Sequence, residues 1–434
     1  MHVLIRQLSG LLIAALIGSP AFAVDIQAGS EDYRSLLPRL RAGDHLLLRA
    51  GDYQHGLPLH HLSGEPGRPI VIEGEPSTRF LAHPGGNTLS LLDASHIVIR
   101  NLELDGRNQP VDAVKAEGNS RYADYITLEN LFIHDHAASQ QNVGISSKCP
   151  AFGWVVRGNR IERVGTGMYF GDSDGSDPFV AGLIEGNRVS DTIGYNLQIK
   201  HQQSRPAAMP ELLERHDTVI RGNFFAKEAA WPDRAARPNV LVGHAPLTGP
   251  GSQDRVLIHG NLFWQNPSEA LFQGEGHLAI YNNVFVNAYG HAVHIQPHND
   301  VPRQVEIFHN TVLARGHGIR LLRREGRAAD WPQRIAGNLV FAGQPIAGGE
   351  AFDNRVGGVD AAARFLNKPF TELDQLDLTP RMALAGGALP GSLADYPDSD
   401  KDSDGRVRVA PSLGACVGEA KSPCPQLAKV PAWP

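Results

Sequence analysis

The 434-residue sequence predicts an all-β protein, a single-domain right-handed parallel β-helix with an N-terminal capping helix and an irregular C-terminal tail. Three observations predict it. First, one phrase recurs: IVIRNLEL around Asn101, ITLENLFI around Asn130, WVVRGNRI around Asn159, GLIEGNRV around Asn187, TVIRGNFF around Asn223, VLIHGNLF around Asn261, LAIYNNVF around Asn283, VEIFHNTV around Asn310 and RIAGNLVF around Asn338. Each copy has alternating β-formers, an Asn and a second short apolar strand. Second, the Asn-to-Asn intervals are 29, 29, 28, 36, 38, 22, 27 and 28 residues, which suits one solenoid coil per copy and is too short for a four-stranded propeller blade. Third, Asn tolerates the left-handed conformation, and its amide can bond its copies above and below.

The elements follow in chain order. MHVLIRQLSGLLIAALIGSPAFAVD carries Arg6, an apolar run from Leu11 to Ile17, and Ala21-Phe22-Ala23. That pattern reads as a signal peptide, residues 1–23, whose apolar run is too short to anchor in a bilayer. A periplasmic or secreted protein without a membrane anchor is expected. Residues 24–350 are assigned to the β-helix, with EDYRSLLPRLRAGD (31–44) as capping helix and HLLLRAG (45–51) as first strand. The two long intervals imply loops inserted in adjacent coils, QQSRPAAMPELLERHD (202–217) and KEAAWPDRAARP (227–238), and such insertions often mark a functional face. Beyond 350 the period fades, and residues 351–434 are expected to form an irregular cap or tail. Within it, DSDKDSDG (398–405), read from Asp400, matches the opening of an EF-hand loop, but Pro411 stands at the twelfth position in place of Glu. A polar terminal loop is expected instead. Cys416 and Cys424 lie close enough for a disulfide after export, and Cys149 reads as a small buried residue.

A hydrophobic content of 42% suffices for a large core, and 46 Gly with 30 Pro indicate many turns. The formal net charge of −6 argues against nucleic-acid binding, which wants a basic surface, but leaves a local basic groove open. A monomer is expected.

Each coil has a further strand after its Asn segment. Aligned on a first inward apolar residue, these strands begin at Ile145, Met168, Leu197, Leu241, Leu271, Val293 and Ile319. Because side chains alternate, Ser146, Tyr169, Gln198, Val242, Phe272, His294 and Arg320 are expected to face outward in one column. Lys148, Gly171, Lys200, His244, Gly274, Gln296 and Leu322 are expected in the next. A patch of Lys, His, Tyr and Gln flanked by the long loops can hold an anionic chain lying across the coils, so acidic polysaccharide is the expected partner. Lys148, Gln198, His201, Arg205, His294, Arg320 and Asp172 are the candidate binding residues. The turn GDSDGSDPF adds Asp172, Asp174 and Asp177, as cation ligands, sugar-binding groups or an acid/base pair.

Uronic acids offer a matching reaction. The C5 proton becomes acidic once the neighbouring carboxylate is neutralised, a base removes it, and an acid protonates the departing O4. Lysine serves as base when burial and nearby positive charge lower its pKa. Lys200 is the candidate base, with Lys148 and His244 as neighbouring charge and Tyr169 or His294 as the acid.

LRAGDHLLLRAGDYQHGLPL, SGEPGRPIVIEGE and SHIVIRNLELDG, over about residues 24–106, resemble polysaccharide lyase family 6, the alginate lyase and chondroitinase B group. A second stretch resembles it too. The family has a strand ending in a catalytic Lys, an Asn-turn strand, then a strand with a catalytic Arg. Here NLQIKH, DTVIRGNFF and NVLVGHAP follow in that order, which puts Lys200 at the base position and Gly243-His244 at the Arg position. The family's calcium-holding acidic residues precede the Lys, where this chain has Tyr195 and Asn196. The resemblance implies a lyase; with those acids missing no cofactor is expected, calcium stays open, and Lys148, His244, Arg320 or Gln198 is expected to neutralise the carboxylate. Three other readings stay open. A glycoside hydrolase on the same fold needs two carboxylates, for which Asp172, Asp174 and Asp177 are candidates. RGHGIRL (315–321) resembles polygalacturonase motifs, but the aspartate pairs of that family are missing. A uronate C5-epimerase would be a close cousin, although QPHND (296–300) departs from the Asp-Pro-His-Asp motif of such enzymes. A non-catalytic polysaccharide-binding β-helix would use the same groove.

Overall fold

The computed structural model describes residues 23–118, 122–229, 237–322, 331–387, 389–417 and 423–425. The signal peptide, apart from its last residue, and most of the expected loop at 227–238 lie outside these residues.

The backbone winds as a right-handed parallel β-helix. One long sheet stacks the strands that precede each Asn turn, from Asp25–Ala28 through Arg255–His259 to Glu350–Phe352. A second sheet holds the two later strands of each coil in two ladders, joined where Thr311–Leu321 runs continuously through both. The pairings between coils are parallel, with register shifts only at Gly276/Leu278 and Ala314/His317 among the described residues, so equivalent residues sit about 4.8 Å apart up the stack. Inward side chains fill a continuous core from Leu46, Ile72, Ile99 and Leu128 to Ile258, Ile280, Ile307 and Ile335. Among the described residues, no helix is long and apolar enough to cross a membrane.

The Asn column is present from Asn159 onward. Asn159, Asn187, Asn223, Asn261, Asn283, Asn310 and Asn338 each donate a side-chain N–H to the Oδ1 of the next, at 2.9–3.0 Å. Each Oδ1 from Asn187 onward also accepts the backbone N–H of the previous Asn, so buried amides are satisfied within the stack. The column runs one coil further than expected, to Asn354, and the strands Glu350–Phe352 and Arg355–Gly357 continue the solenoid past residue 350. At its other end the repeat is out of register by one. Asn101 and Asn130 are left-handed (φ 58° and 51°) and equivalent to Gly158 (φ 64°), while Leu131 takes the place of Asn159. The left-handed residue therefore comes just before the ladder, and an Asn fits either position.

The ends also differ from expectation. Pro38 cuts the capping helix to one α turn, Tyr33–Leu36, and a short 3₁₀ turn, Leu37–Arg39. Tyr33, Leu37 and Leu40 still cover the first coil, and the strand Asp25–Ala28 comes before His45–Leu48. The tail is a strap. Leu366, Leu378, Leu413 and Ala415 cover an outward apolar stripe made by Leu262, Trp264, Val284, Val286, Leu313 and Phe341. Cys416 and Cys424 are disulfide-bonded there, and Cys149 is buried and free. In the acidic turn, the buried Asp402 accepts the N–H groups of Asp404 and Arg406 on its Oδ1, which closes the loop.

Candidate active site

The third strand of each coil carries the site, and its register corrects the expected columns. Met168 pairs with Leu197, Leu197 with Val240, Val240 with Phe272 and Phe272 with Val293. Val240 and Phe272, not Leu241 and Leu271, therefore point inward. Val242 is likewise inward and fully buried, so Leu241 and Gln273 stand in the outward column with Tyr169, Gln198, His294 and Arg320. The neighbouring column reads Lys148, Gly171, Lys200, Gly243, Glu275, Gln296 and Leu322. His244 is one residue past the Lys200 column, and Gly243 takes the place expected for it.

This correction reshapes the site. Lys200 stands between two glycines. A Cβ at Gly171 would lie 3.1 Å from the Lys200 Cβ, and one at Gly243 would lie 2.7 Å from the Lys200 carbonyl carbon. The backbone and the Lys200 stem pack so closely there that only glycine fits, so neither neighbour in the column sets a side chain beside the amine. Beyond the glycines stand Lys148 on one side and Glu275 on the other, each two coil steps or about 10 Å away along the column. Glu275 is 1% exposed, and its carboxylate accepts the backbone N–H groups of His298, Asn299 and Asp300. It is thus a fixed anion that braces the far wall. Gln198, Lys200, His201, Gly243, Gln273, Glu275, Gln296, His298 and Asn299 line one cleft.

Burial lowers the Lys200 pKa below the ordinary lysine value, and Asp172 and Glu275 oppose the shift. The depression therefore comes from desolvation, not from the neighbouring positive charge expected of Lys148 and His244. Lys148 itself is pushed down to about 8, mainly by burial. Its Nζ lies 3.5 Å over the Tyr169 ring centre and donates to the Gly171 carbonyl at 3.1 Å. Tyr169 is held neutral by burial, which raises its pKa. His201 follows Lys200 and meets His244 at a ring separation of 5.4 Å. Burial first, then His244 and Lys200, lower the His201 pKa, so its imidazole is neutral, and its Nδ1 is buried without a partner. His244 Nδ1 lies 2.7 Å from the Ala245 carbonyl, which orients its ring. Asp172 shapes the acidic turn by accepting the N–H groups of Gly175 and Asp177. Burial and the charges of Asp172 and Asp174 push Asp177 up to about 6.

Of the expected residues, Gln198, Lys200 and His201 line the cleft, His244 packs against His201 at its side, and Tyr169, Asp172 and Lys148 lie on the coils before it. Three other expected residues stand apart from it. Arg205 has a fully buried side chain paired with Asp254, and donates to the carbonyls of Leu212 and Glu214. It staples the 202–217 loop and faces no groove. His294 lies three coils beyond Gln198, about 14 Å away, and Arg320 one coil further. Glu275 and the place of Gly243 beside Lys200 went unseen in the sequence, whereas Gly171 was expected in this column. Their signal is the alternation of charged residue and glycine down one column, which a slip of one residue hides.

Tyr195 and Asn196 occupy the positions of the calcium-holding acids in family 6. Neither carries a carboxylate, and Asn196 is buried with its amide bonded to Thr192 Oγ1 and the Ala226 carbonyl. These residues do not fit a calcium ion.

No family model matches the chain, and no curated protein does. Solved structures match at the level of fold. A family GH136 lacto-N-biosidase from Eubacterium ramulus matches with a TM-score of 0.53 and 13% identity, over 77% of this chain and 68% of that one. A family 6 alginate lyase matches with a TM-score of 0.48 and 12% identity, over 77% of this chain and 51% of that one, so the chain spans about half that lyase's length. The mannuronan C-5 epimerase A-module of Azotobacter vinelandii matches with a TM-score of 0.49 and 14% identity, over 73% of this chain and 86% of that one. These neighbours are carbohydrate-active enzymes, and at such low identity the likeness shows the architecture: this chain is a right-handed parallel β-helix protein, distantly similar to them.

Proposed function

We propose that the protein is an exported polysaccharide lyase that cleaves a uronate-containing chain, such as alginate, by β-elimination. The observation that carries this reading is Lys200, a half-buried amine of lowered pKa flanked in its column by two glycines and lining an outward cleft. A sugar ring laid across the face of this cleft presents its C5 hydrogen to the amine. Lys200 takes that proton, the C4–C5 double bond forms, the C4–O4 bond breaks, and the departing O4 takes a proton from Tyr169. N–H groups of His201, His244 and Gln198, with the Lys148 ammonium, stabilise the carboxylate as charge builds on it. No step runs through a metal.

The test is incubation of the purified protein with a panel of acidic polysaccharides while the ultraviolet absorbance of the new double bond is followed. A rise that disappears in Lys200→Ala supports the reading, and a rise that survives in Lys200→Ala removes Lys200 as base. Cleavage without absorbance favours a second reading, a glycoside hydrolase with Asp177 as acid, for which its raised pKa speaks. Fractionation of producing cells tests export.

A further inference from the structure

Three coils from Lys200, on the same outer face, three imidazoles meet. The His291 and His294 rings are 4.6 Å apart, His291 and His317 5.1 Å, and His294 and His317 5.7 Å. Arg320 stands directly beside His294 in the next coil. His294 is 6% exposed, and its Nε2 has no hydrogen-bond partner; His317 Nδ1 is buried and has none either. His291 Nδ1 accepts the His317 backbone N–H at 2.9 Å, which leaves its Nε2 to carry the proton. The side chains beside this cluster from the adjoining strands are Gln273, on the strand before, and Gln344, which pairs with His317 on the strand after. No carboxylate is among the groups acting on His294 or His317. The ring nitrogens of these three histidines do not converge within metal-binding distance of one another, and among the described residues a guanidinium and no carboxylate stands beside them, which suits an anion.

We infer that His291, His294, His317 and Arg320 form a second carboxylate-binding subsite for the same acidic chain, and that its imidazoles take up a proton when the carboxylate arrives. This rests on the reading of Lys200's cleft as an acidic-glycan site. The linkage has a definite sign. In the free protein, burial first, then His291, Arg320 and His317, hold His294 down at about 4, so its ring is neutral. A bound carboxylate raises that value. Binding therefore strengthens as pH falls through the bound-state pKa, and levels off below the free-state one. The subsite would grip long chains and release short products, since a disaccharide at Lys200 cannot span three coils.

The experiment is calorimetric titration of the full-length Lys200→Ala variant, which leaves the chain uncut, with an alginate hexasaccharide and a disaccharide, at about pH 5 and about pH 7.5, where uronate carboxylates stay ionised. The hexasaccharide is expected to bind about tenfold more tightly at the lower pH, which corresponds to a His294 pKa raised by about two units on binding, with proton uptake seen as a buffer-dependent heat. The disaccharide should show neither effect. The paired variants His294→Gln and His317→Gln should abolish the pH dependence, and Arg320→Met should weaken the hexasaccharide alone. If the Gln variants do not fold, histidine ring NMR of the Lys200→Ala variant, with and without hexasaccharide, reads the same protonation. Affinity that ignores pH, or no binding at either pH, overturns the inference. pH-dependent binding through His294 without any elimination by the wild-type protein leaves the subsite standing and sinks the lyase reading. Elimination with hexasaccharide binding untouched by the His variants does the reverse.

Discussion

Along the Asn turn, each buried amide from Asn187 to Asn338 both donates to and accepts from its neighbours in the stack. On the outer face, His201 Nδ1 beside Lys200 and His294 Nε2 three coils away are buried without partners, and Lys200 is flanked in its column by two glycines. Both regions are columns of polar residues repeated coil by coil at about 4.8 Å. They differ in whether the repeat satisfies itself. A column of identical amides closes its own hydrogen bonds and stabilises the fold. A column of unlike residues interrupted by glycine leaves its donors for something else, at a cost in stability that the ladder and core must offset.

The largest test of this contrast is Lys200→Ala. Losing a general base removes roughly 10²–10⁴-fold of rate. Thermal melting should stay near that of the wild type, because no hydrogen bond of the ladder or core depends on the amine. A variant that unfolds would place Lys200 among the structural residues.

Asn223→Ala should do the opposite. Its Oδ1 accepts both the backbone and side-chain N–H of Asn187, and its Nδ2 donates to the Ile184 carbonyl and Asn261 Oδ1. Each orphaned buried partner costs about 1–3 kcal/mol, so a loss on the order of 3 kcal/mol or more is expected. Chemical denaturation measures it, and activity per folded molecule should persist. Asn223→Asp should be worse, since it sets a buried carboxylate against Asn261 Oδ1.

The same contrast explains what could be read from the sequence. A self-satisfying column must repeat its residue, so the Asn phrase was visible from Asn159 to Asn338. It misled only at Asn101 and Asn130, where Asn serves as the left-handed residue. The functional column repeats nothing. Its register had to be guessed from apolar pairs, and Val240-Leu241 and Leu271-Phe272 each offer two adjacent apolar candidates for one inward position. Leu241 is 7% exposed and Leu271 fully buried, so hydrophobicity could not choose between them and their neighbours. That slip promoted His244 and hid Gly243 and Glu275. Arg205 was misplaced for another reason: an Arg in a long loop reads as solvated, and only the fold brings Asp254 to it.

Arg205→Met sharpens the comparison within one loop. It removes the partner of Asp254 and the donors to Leu212 and Glu214, while the strand that carries Lys200 is left intact. Breaking a buried pair costs about 3 kcal/mol, here spent locally on opening residues 202–217. Limited proteolysis should cut this loop faster in the variant. The Asn ladder should melt as before, and a drop in affinity without faster cleavage would return Arg205 to the groove.

The smallest effect concerns the charge that faces the open column. Lys200 acts as base only when neutral, so kcat/KM should rise with pH along a limb set by its lowered pKa. Asp172 is the first of the charges that hold this pKa up against burial. Asp172→Asn removes the charge but keeps an Oδ1 to accept from Gly175 and Asp177, so the turn survives. The ammonium form of Lys200 then loses a stabilising anion, its pKa falls further, and the limb moves to lower pH. The shift should be less than about one unit, under tenfold in rate on the limb. Asp174→Asn, in the same turn but with no part in the Lys200 shift, should leave the limb in place. A limb that moves upward in Asp172→Asn, or moves equally in both variants, would mean that Lys200 is not the group whose ionisation sets the rate.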